Sequence, residues 1–467
     1  MATIRFIGAA QEVTGSCHLL ESTALGKVLL DCGMHQGRDA VDRLKSETFA
    51  FDPTEIDAVI LSHAHLDHSG LLPKLVHDGF TGHIYCTEAS VDLLEIMLLD
   101  SLGIYERDLE RKNRYLSRRG KELITPAYSE ADVIQALDLC DPYLYGESFS
   151  IGNNASVVFH DAGHILGSAI IELTLTERTR TKTLVFTGDL GKKDAVLMND
   201  PVFLSKADIV LMEGTYGDRD HRSDDNSLME LQAVLSETWN RHGNVMIPAF
   251  AVGRTQELIY YLGLLHKRGE LDNWAVYLDS PMAIKVSRVY DRWMDTMDRT
   301  DIRKLGSEDK SVLENFLPQL KLSVTTEDSM NINKISSGAI VIAGSGMCTG
   351  GRIRQHFKQR IWDKRNTLIF VGFQARGTLG RLLVDGAQAI KMFGEKFVVK
   401  AQCATINGFS AHAGQAGLID WVSHFDNQPT VVLVHGEPES LNALAEKLWH
   451  DKGIDALIPT KGTSIAF

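Results

Sequence analysis

The sequence predicts an α/β protein in which a sandwich of strand-rich sheets under helical cover is interrupted by an inserted, doubly wound α/β region. Three observations lead there. The first 210 residues read as short strands joined by glycine turns and interleaved with helices. From about residue 213, strand and helix alternate regularly, the pattern of a mostly parallel sheet. A last strand and helix then close the chain with no long linker, low-complexity tract or internal repeat before them. The second region therefore reads as inserted into the first, with expected boundaries 1–212, 213–397 and 398–467.

The elements follow from hydrophobic period and punctuation. Strands are expected at 3–9, 16–21, 27–31, 58–62 and 83–86, with a helix at 69–76 and longer helices at 90–121 and 130–139. Strands return at 156–160, 169–175, 183–187 and 209–213. The alternating region offers helices 227–241, 255–266, 281–293 and 352–361 between strands 245–249, 275–278, 339–343 and 367–371. Strand 431–435 and helix 440–452 finish the chain, followed by a short tail. The helical stretch 104–121 mixes seven basic residues with three acids, which reads as a solvated face.

Composition narrows the function. Across 467 residues, 44% apolar and 23% charged side chains describe a globular chain, not a disordered one. No run approaches the roughly 18 apolar residues of a membrane span, and the start lacks a signal-peptide pattern, so a cytoplasmic protein with no membrane partner is expected. Six cysteines without a C-x-x-C pair fit reduced thiols, not a disulfide framework or thiolate metal site. The net charge of −13 argues at first against nucleic acid. Its distribution does not: residues 350–400 hold 11 basic side chains against three acidic ones, a net +8 that leaves −21 on the remainder.

The hexapeptide His63-Ala64-His65-Leu66-Asp67-His68 carries the most chemistry. It follows an apolar strand, so His63 and His65 share a direction, while Asp67 and His68 enter the next helix and can face a second point nearby. Four ligand-type residues in six positions suit two adjacent cations, and imidazole with carboxylate favours zinc, manganese or iron. Further candidates end later strands: His164, Asp189 and His435. Each alone is ambiguous, because a single histidine at a strand end is more often structural. A carboxylate such as Asp189 can bridge two ions. Asp31, after strand 27–31, is a candidate to orient a ligand.

Asp31, the His63–His68 segment, His164 and Asp189 resemble, in order, four motifs of the metallo-β-lactamase superfamily. The resemblance implies an αβ/βα sandwich with a binuclear site: one metal on His63, His65 and His164, the other on Asp67, His68 and His435, with Asp189 between them. Met212-Glu213-Gly214-Thr215-Tyr216-Gly217, Gly408-Phe409-Ser410-Ala411-His412-Ala413 and Val434-His435-Gly436-Glu437 are similar to motifs A, B and C of the β-CASP nucleases. That group includes the nuclease subunit of the cleavage and polyadenylation machinery and its bacterial and archaeal homologues. Motif A departs in carrying Gly214 where relatives often have serine. Histidine at 435, where the DNA-repair branch typically has valine, favours the RNA branch. With 62 residues before His63, the RNA-binding module of archaeal relatives is not expected, and the 32 residues after His435 weigh against the RNase J subgroup, which carries an extra C-terminal domain.

The resemblance implies a two-zinc ribonuclease (manganese the alternative metal) acting on single-stranded RNA by an activated hydroxide. Cleavage would be mainly internal, with 5′ exonucleolytic action also open, leaving 5′-phosphate and 3′-hydroxyl ends; a homodimer is implied as well. Glu213 would orient His412, and His412 would bind the scissile phosphate or protonate the leaving oxygen. The glycine-rich turn 344–351, with Ser345 and Gly346, is read first as offering backbone N–H groups to phosphate, against turn geometry alone or a nucleotide cofactor. Arg254, Arg352, Arg376 and Arg381 are candidate phosphate partners. The competing readings are a small-molecule hydrolase of esters, lactams or thioesters and a non-catalytic RNA-binding scaffold.

Overall fold

The computed structural model describes residues 2–35, 41, 44, 48–221, 224–298, 300–302, 312–372, 374–406 and 408–467. The chain divides into two compact units: residues 1–195, 199–220 and 412–467 form the first, and 196–198 with 221–411 the second. Where the sequence reading began the insertion at 213 and ended it at 397, the structure thus leaves the motif from Glu213 to Gly217 in the first unit and carries the second on to residue 411.

Two sheets face each other in the first unit. One contains β1 (Thr3–Phe6), β2 (His18–Ser22), β3 (Gly26–Leu30), β4 (Ala58–Ile60), β5 (His83–Thr87) and β6 (Cys140–Tyr143) side by side in that order. The other runs from β7 (Ser148–Ile151) through β8 (Ala155–Asp161), β9 (Ala169–Glu177), β10 (Arg180–Phe186) and β11 (Ile209–Glu213). Its far edge is supplied by Thr430–Val434, which comes late in the chain and pairs parallel to β11. The period of two sorts side chains between two cores. Leu184, Phe186, Ile209 and Leu211 point between the sheets, with Ile4, Phe6, Leu30 and Ile60. Val185, Val210 and Met212 point the other way, against Leu418, Trp421, Leu441 and Leu444 of the closing helices. Strands buried on both faces read as unbroken apolar runs.

In the second unit β12 (Val245–Pro248), β13 (Ala275–Leu278), β14 (Leu320–Leu322), β15 (Ala339–Ala343), β16 (Thr367–Val371) and β19 (Gln402–Ile406) form one sheet in the order β14-β13-β15-β12-β16-β19, and every pair is parallel. A separate hairpin, β17 (Ala389–Met392) with β18 (Glu395–Val398), packs Ile390 and Met392 onto Phe357 and Leu368. Among the described residues no helix is long and apolar enough to cross a membrane.

The differences from the expected elements have local causes. The helix expected at 69–76 is two, Leu66–Ser69 and Leu72–His77, because Gly70 ends the first and Pro73 sits in the first turn of the second. β6 and β7 are sheet edges with exposed residues, and β6 contains Pro142, which only an edge tolerates. The tail is not loose: Ser464–Ala466 adds an antiparallel strand to β1.

Asn244, buried just before β12, ties the second unit's sheet together. Its Oδ1 accepts from Ala339 N (3.0 Å), its Nδ2 donates to Ser336 O (3.0 Å), and its backbone N donates to Asn366 Oδ1 (2.8 Å). Asn244→Ala leaves Ala339 N and Ser336 O, at the start of β15, without their side-chain partner, while the backbone bond to Asn366 remains. It is expected to destabilise the chain by about 1–3 kcal/mol, read from urea denaturation.

Candidate metal centre

The site collects at the C-terminal ends of strands in the first unit. β3 leads to Asp31, β4 to His63, β8 to His164, β10 to Asp189, β11 ends on Glu213, and Thr430–Val434 leads to His435. Because β10, β11 and Thr430–Val434 are parallel neighbours, Asp189, Glu213 and His435 emerge side by side. Backbone conformation turns several of them inward. Asp31 and His435 have φ of 61° and 48°, in a region that side-chain-bearing residues seldom occupy. Gly33 packs so closely on the loop that an added Cβ would lie 1.7 Å from Asp67 O.

Two donor groups result. His63 Nε2 lies 3.1 Å from His65 Nδ1, which lies 3.3 Å from His164 Nε2; Asp189 Oδ2 is 3.6 Å from His63 Nε2 and 3.5 Å from His164 Nε2. A tetrahedral ion with bonds of ~2.0–2.1 Å needs donors about 3.3 Å apart, so this set fits one. In the second group His68 Nε2 is 3.3 Å from His435 Nε2 and 3.4 Å from Asp189 Oδ1, and His435 Nε2 is 4.0 Å from Asp67 Oδ2. Asp189 thus turns one oxygen to each group. Donor atoms of His63, His65, His164 and Asp189 lie within 4.8 Å of one another, and so do those of Asp67, His68 and His435.

The surrounding hydrogen bonds assign the tautomers. Asp31, fully buried, accepts from Ser16 Oγ, Ser62 N and Ser62 Oγ, and its Oδ2 takes the Nδ1–H of His68 at 2.7 Å. Since Ser62 Oγ donates to Asp31, it accepts the Nδ1–H of His63 at 3.1 Å. Thr215 Oγ1 donates to His435 O and accepts His435 Nδ1–H at 3.1 Å. With Nδ1 engaged in this way, all three rings turn Nε2 toward the donor group, the orientation from which it can bind a cation. Buried Asp189 Oδ1 makes no hydrogen bond. These residues therefore fit a pair of divalent cations.

Electrostatics agree. Burial, reinforced by neighbouring histidines, holds His63 and His164 well below the usual imidazole range, and burial lowers His65 too, so all three offer neutral nitrogens. His68 goes the other way: burial opposes its charge, but Asp189 and Asp31 outweigh burial and raise it well above that range. Asp189 stays charged despite its burial because His435, His68 and His412 surround it.

Beside the donors lies a dyad. Glu213, fully buried, accepts from Leu190 N (2.7 Å) and Thr215 N (3.3 Å), and its two oxygens lie 3.0 and 3.2 Å from His412 Nδ1. His412 Nε2 then points toward Asp189 Oδ2, 3.9 Å away. Burial works against a charged His412, yet Glu213 and Asp189 prevail and its pKa is raised to about 9. Glu213 also falls within reach of Asp189 and His435 as a third possible donor group. Its N–H partners and His412 already occupy it.

Every residue of the expected metal set, with Asp31, Glu213 and His412, is in this cluster. The arginines are in the second unit and differ among themselves. Arg254 is buried in an ion pair with Glu257. Arg352 donates to Asp279 Oδ1 (2.7 Å) and to Ser323 O and Val324 O. These two guanidiniums are engaged internally, so neither is an open phosphate contact. Arg381 pairs with Asp385 at the surface, and Arg376 is exposed. Ser345 Oγ accepts from Gly350 N (3.2 Å), closing the glycine-rich turn on itself; Gly346 packs against Phe250. Sequence reading missed Ser62 and Thr215, whose hydroxyls orient two ligand rings, His63 and His435; Thr215 lies in the Glu-Gly-Thr-Tyr-Gly motif, but a lone hydroxyl carries no spacing signal.

Known families and proteins match the same regions. Residues 10–124 match the metallo-beta-lactamase superfamily, 255–383 the Beta-Casp domain, and 397–459 the Zn-dependent metallo-hydrolase RNA specificity domain. The chain is 40% identical to Ribonuclease TTHA0252 of Thermus thermophilus, over 94% of both chains. It is 30% identical to an RNase J-like protein of Methanocaldococcus jannaschii over 99% of both. It is 31% identical to the transcription termination factor FttA of Methanosarcina mazei, over 95% of this chain and 68% of that one.

Two measurements test the centre. Metal-free protein is expected to take up two zinc ions per chain and to release a proton near pH 7, because His68 carries one there before loading. Calorimetry in buffers of different ionisation enthalpy reads that proton. Asp31→Ala is expected to weaken metal binding about 10–100-fold, read by competition with a chelator.

Proposed function

This chain belongs to the β-CASP branch of the metallo-β-lactamase superfamily, and from that premise we propose that it is a metal-dependent ribonuclease. It hydrolyses phosphodiester bonds of single-stranded RNA, mainly internally and also from a 5′ end, with two zinc ions, manganese being the alternative. The observation that carries this reading is the dyad of Glu213 and His412 set directly against the two donor groups. Ribonuclease TTHA0252, the relative aligned along nearly the whole chain, supports the choice of RNA.

Bound in the two donor groups, divalent cations would lower the pKa of water and polarise phosphoryl oxygens. The chain's own residues supply the rest. His412, protonated at neutral pH, faces the donors through Nε2 and can give its proton to the 3′ oxygen as the P–O3′ bond breaks and its electron pair moves to that oxygen. Glu213 keeps Nδ1–H in place and favours the charged ring. Neither role calls on the 2′-hydroxyl of the RNA, so the products are 5′-phosphate and 3′-hydroxyl ends. Asp31, Ser62 and Thr215 fix the ligand rings throughout.

End-labelled and internally labelled single-stranded RNA with metal-loaded protein tests the proposal. His412→Ala should lower kcat by about 10²–10⁴-fold while leaving metal content unchanged. Asp67→Ala should abolish cleavage together with part of the metal. Cleavage indifferent to both changes would sink the proposal, and turnover of short esters or lactams with none on RNA would favour a small-molecule hydrolase. The sign of the pH dependence follows from the raised His412. While the ring keeps its proton the acid is available; as pH rises through the pKa that Glu213 holds up, the acid is lost and the rate falls on an alkaline limb. Glu213→Gln should move that alkaline limb to lower pH, and a limb that stays put would show that His412 is not the acid.

A further inference from the structure

The second unit's basic side chains divide into those the fold uses and those it leaves over. Arg352 is held by Asp279, Arg365 by Asp363 and Arg381 by Asp385. Arg360 is buried, with its guanidinium on Ile332 O and Asn333 Oδ1. Among the described residues Lys358, Lys391 and Lys396 make no ion pair. These three collect around one feature, the hairpin of β17 and β18.

Two of the hairpin's properties work against its own stability. Lys391 and Lys396 are directly opposite each other across the strands, both exposed, on the face turned away from buried Ile390 and Met392. Like charges in that position repel. The Met392–Glu395 pair closes a two-residue turn in which Phe393 and Gly394 both have positive φ, 53° and 84°. Asparagine or aspartate before glycine is the residue such a turn prefers; an aromatic ring there is sterically costly. The ring is nonetheless 45% exposed, and the helix Ile353–Arg360 brings Arg354 to 4.8 Å and Lys358 to 5.8 Å from its centroid. An exposed aromatic face backed by cations, beside an outward lysine pair, is what a base and its flanking phosphates require.

We propose that this hairpin is a second contact site for single-stranded RNA, in which Phe393 stacks a nucleobase and Lys358, Lys391 and Lys396 hold the adjacent phosphates. The inference rests on the ribonuclease reading for its choice of polymer, and it assigns residues that take no part in the metal chemistry. It explains why the chain retains a phenylalanine and a facing lysine pair where folding alone favours other residues. The repulsion is relieved when phosphate lies between the lysines.

The test uses the full chain in a chelator, so that RNA is bound and not cut, with fluorescence anisotropy of a labelled 30-nucleotide single strand. Phe393→Asn puts a favoured residue in the turn, so the variant should fold at least as stably as the parent while its affinity drops about 5- to 100-fold. Replacing both Lys391 and Lys396 by glutamine should reduce the log–log salt slope by about 1.4 and leave thermal stability equal or higher. With metal restored, both variants should keep the parent's kcat and raise KM on the long strand. Unchanged affinity and salt slope in both variants would overturn the proposal and leave the patch to a protein partner, with the ribonuclease reading intact. A parent chain that binds no RNA at all would instead sink the ribonuclease reading beneath it.

Discussion

Asp189 is the constraint on which the site depends. Its two oxygens face separate sets of imidazole Nε2 atoms at 3.4–3.6 Å, in a pocket that water scarcely reaches. Lone pairs gathered this tightly repel one another unless a proton or a cation lies between them. Without metal the chain uses protons: Asp189 and Asp31 push His68 up, and Asp189 adds to the larger effect of Glu213 on His412. With metal the same lone pairs become ligands. Folding and loading are therefore linked: the sheets must close to form the cluster, and positive charge in the cluster favours the closed sheets.

The sheet arrangement makes this convergence cheap to reach. Parallel strands end at the same side, so residues far apart in sequence, such as Glu213 and His435, leave adjacent strands at one level. Much of this was readable beforehand. Four ligand-type residues within six positions have no ordinary structural use, so His63–His68 identified itself. Asp189 and His435 did not, since one carboxylate or histidine after an apolar strand has many uses; only their order relative to the other motifs singled them out. The interior strands were legible for a related reason, because burial on both faces forces an unbroken apolar run. The edges β6 and β7 face solvent, satisfy no such requirement and left little trace.

The arginines show where residue type alone misleads. A guanidinium after a strand or at the start of a helix suits phosphate as well as it suits a buried carboxylate, and local sequence does not separate the two. Arg254 finds Glu257 one helical turn away, a pairing visible only in retrospect. Arg352 finds Asp279, 73 residues earlier, in a network that also includes His356 and Ser329. In both cases a partner within the fold takes the charge first, so the motif residue serves the shape of the loop.

The same sorting changes what the net charge of −13 means. A formal total treats Arg360, buried against a carbonyl, and Lys391, exposed beside another lysine, as equal. Their consequences are opposite. The first is buried with its N–H groups already used, so it makes no direct contact with an approaching polyanion. The second adds repulsion to the folded state that an anion removes, so its energy appears on binding. Acids sort in the same way: Asp31, Asp189 and Glu213 are enclosed by donors and histidines and project little field outward. An acidic chain can therefore present a basic surface wherever its acids are consumed internally and its lysines are not, and the segment from 350 to 400 meets that condition.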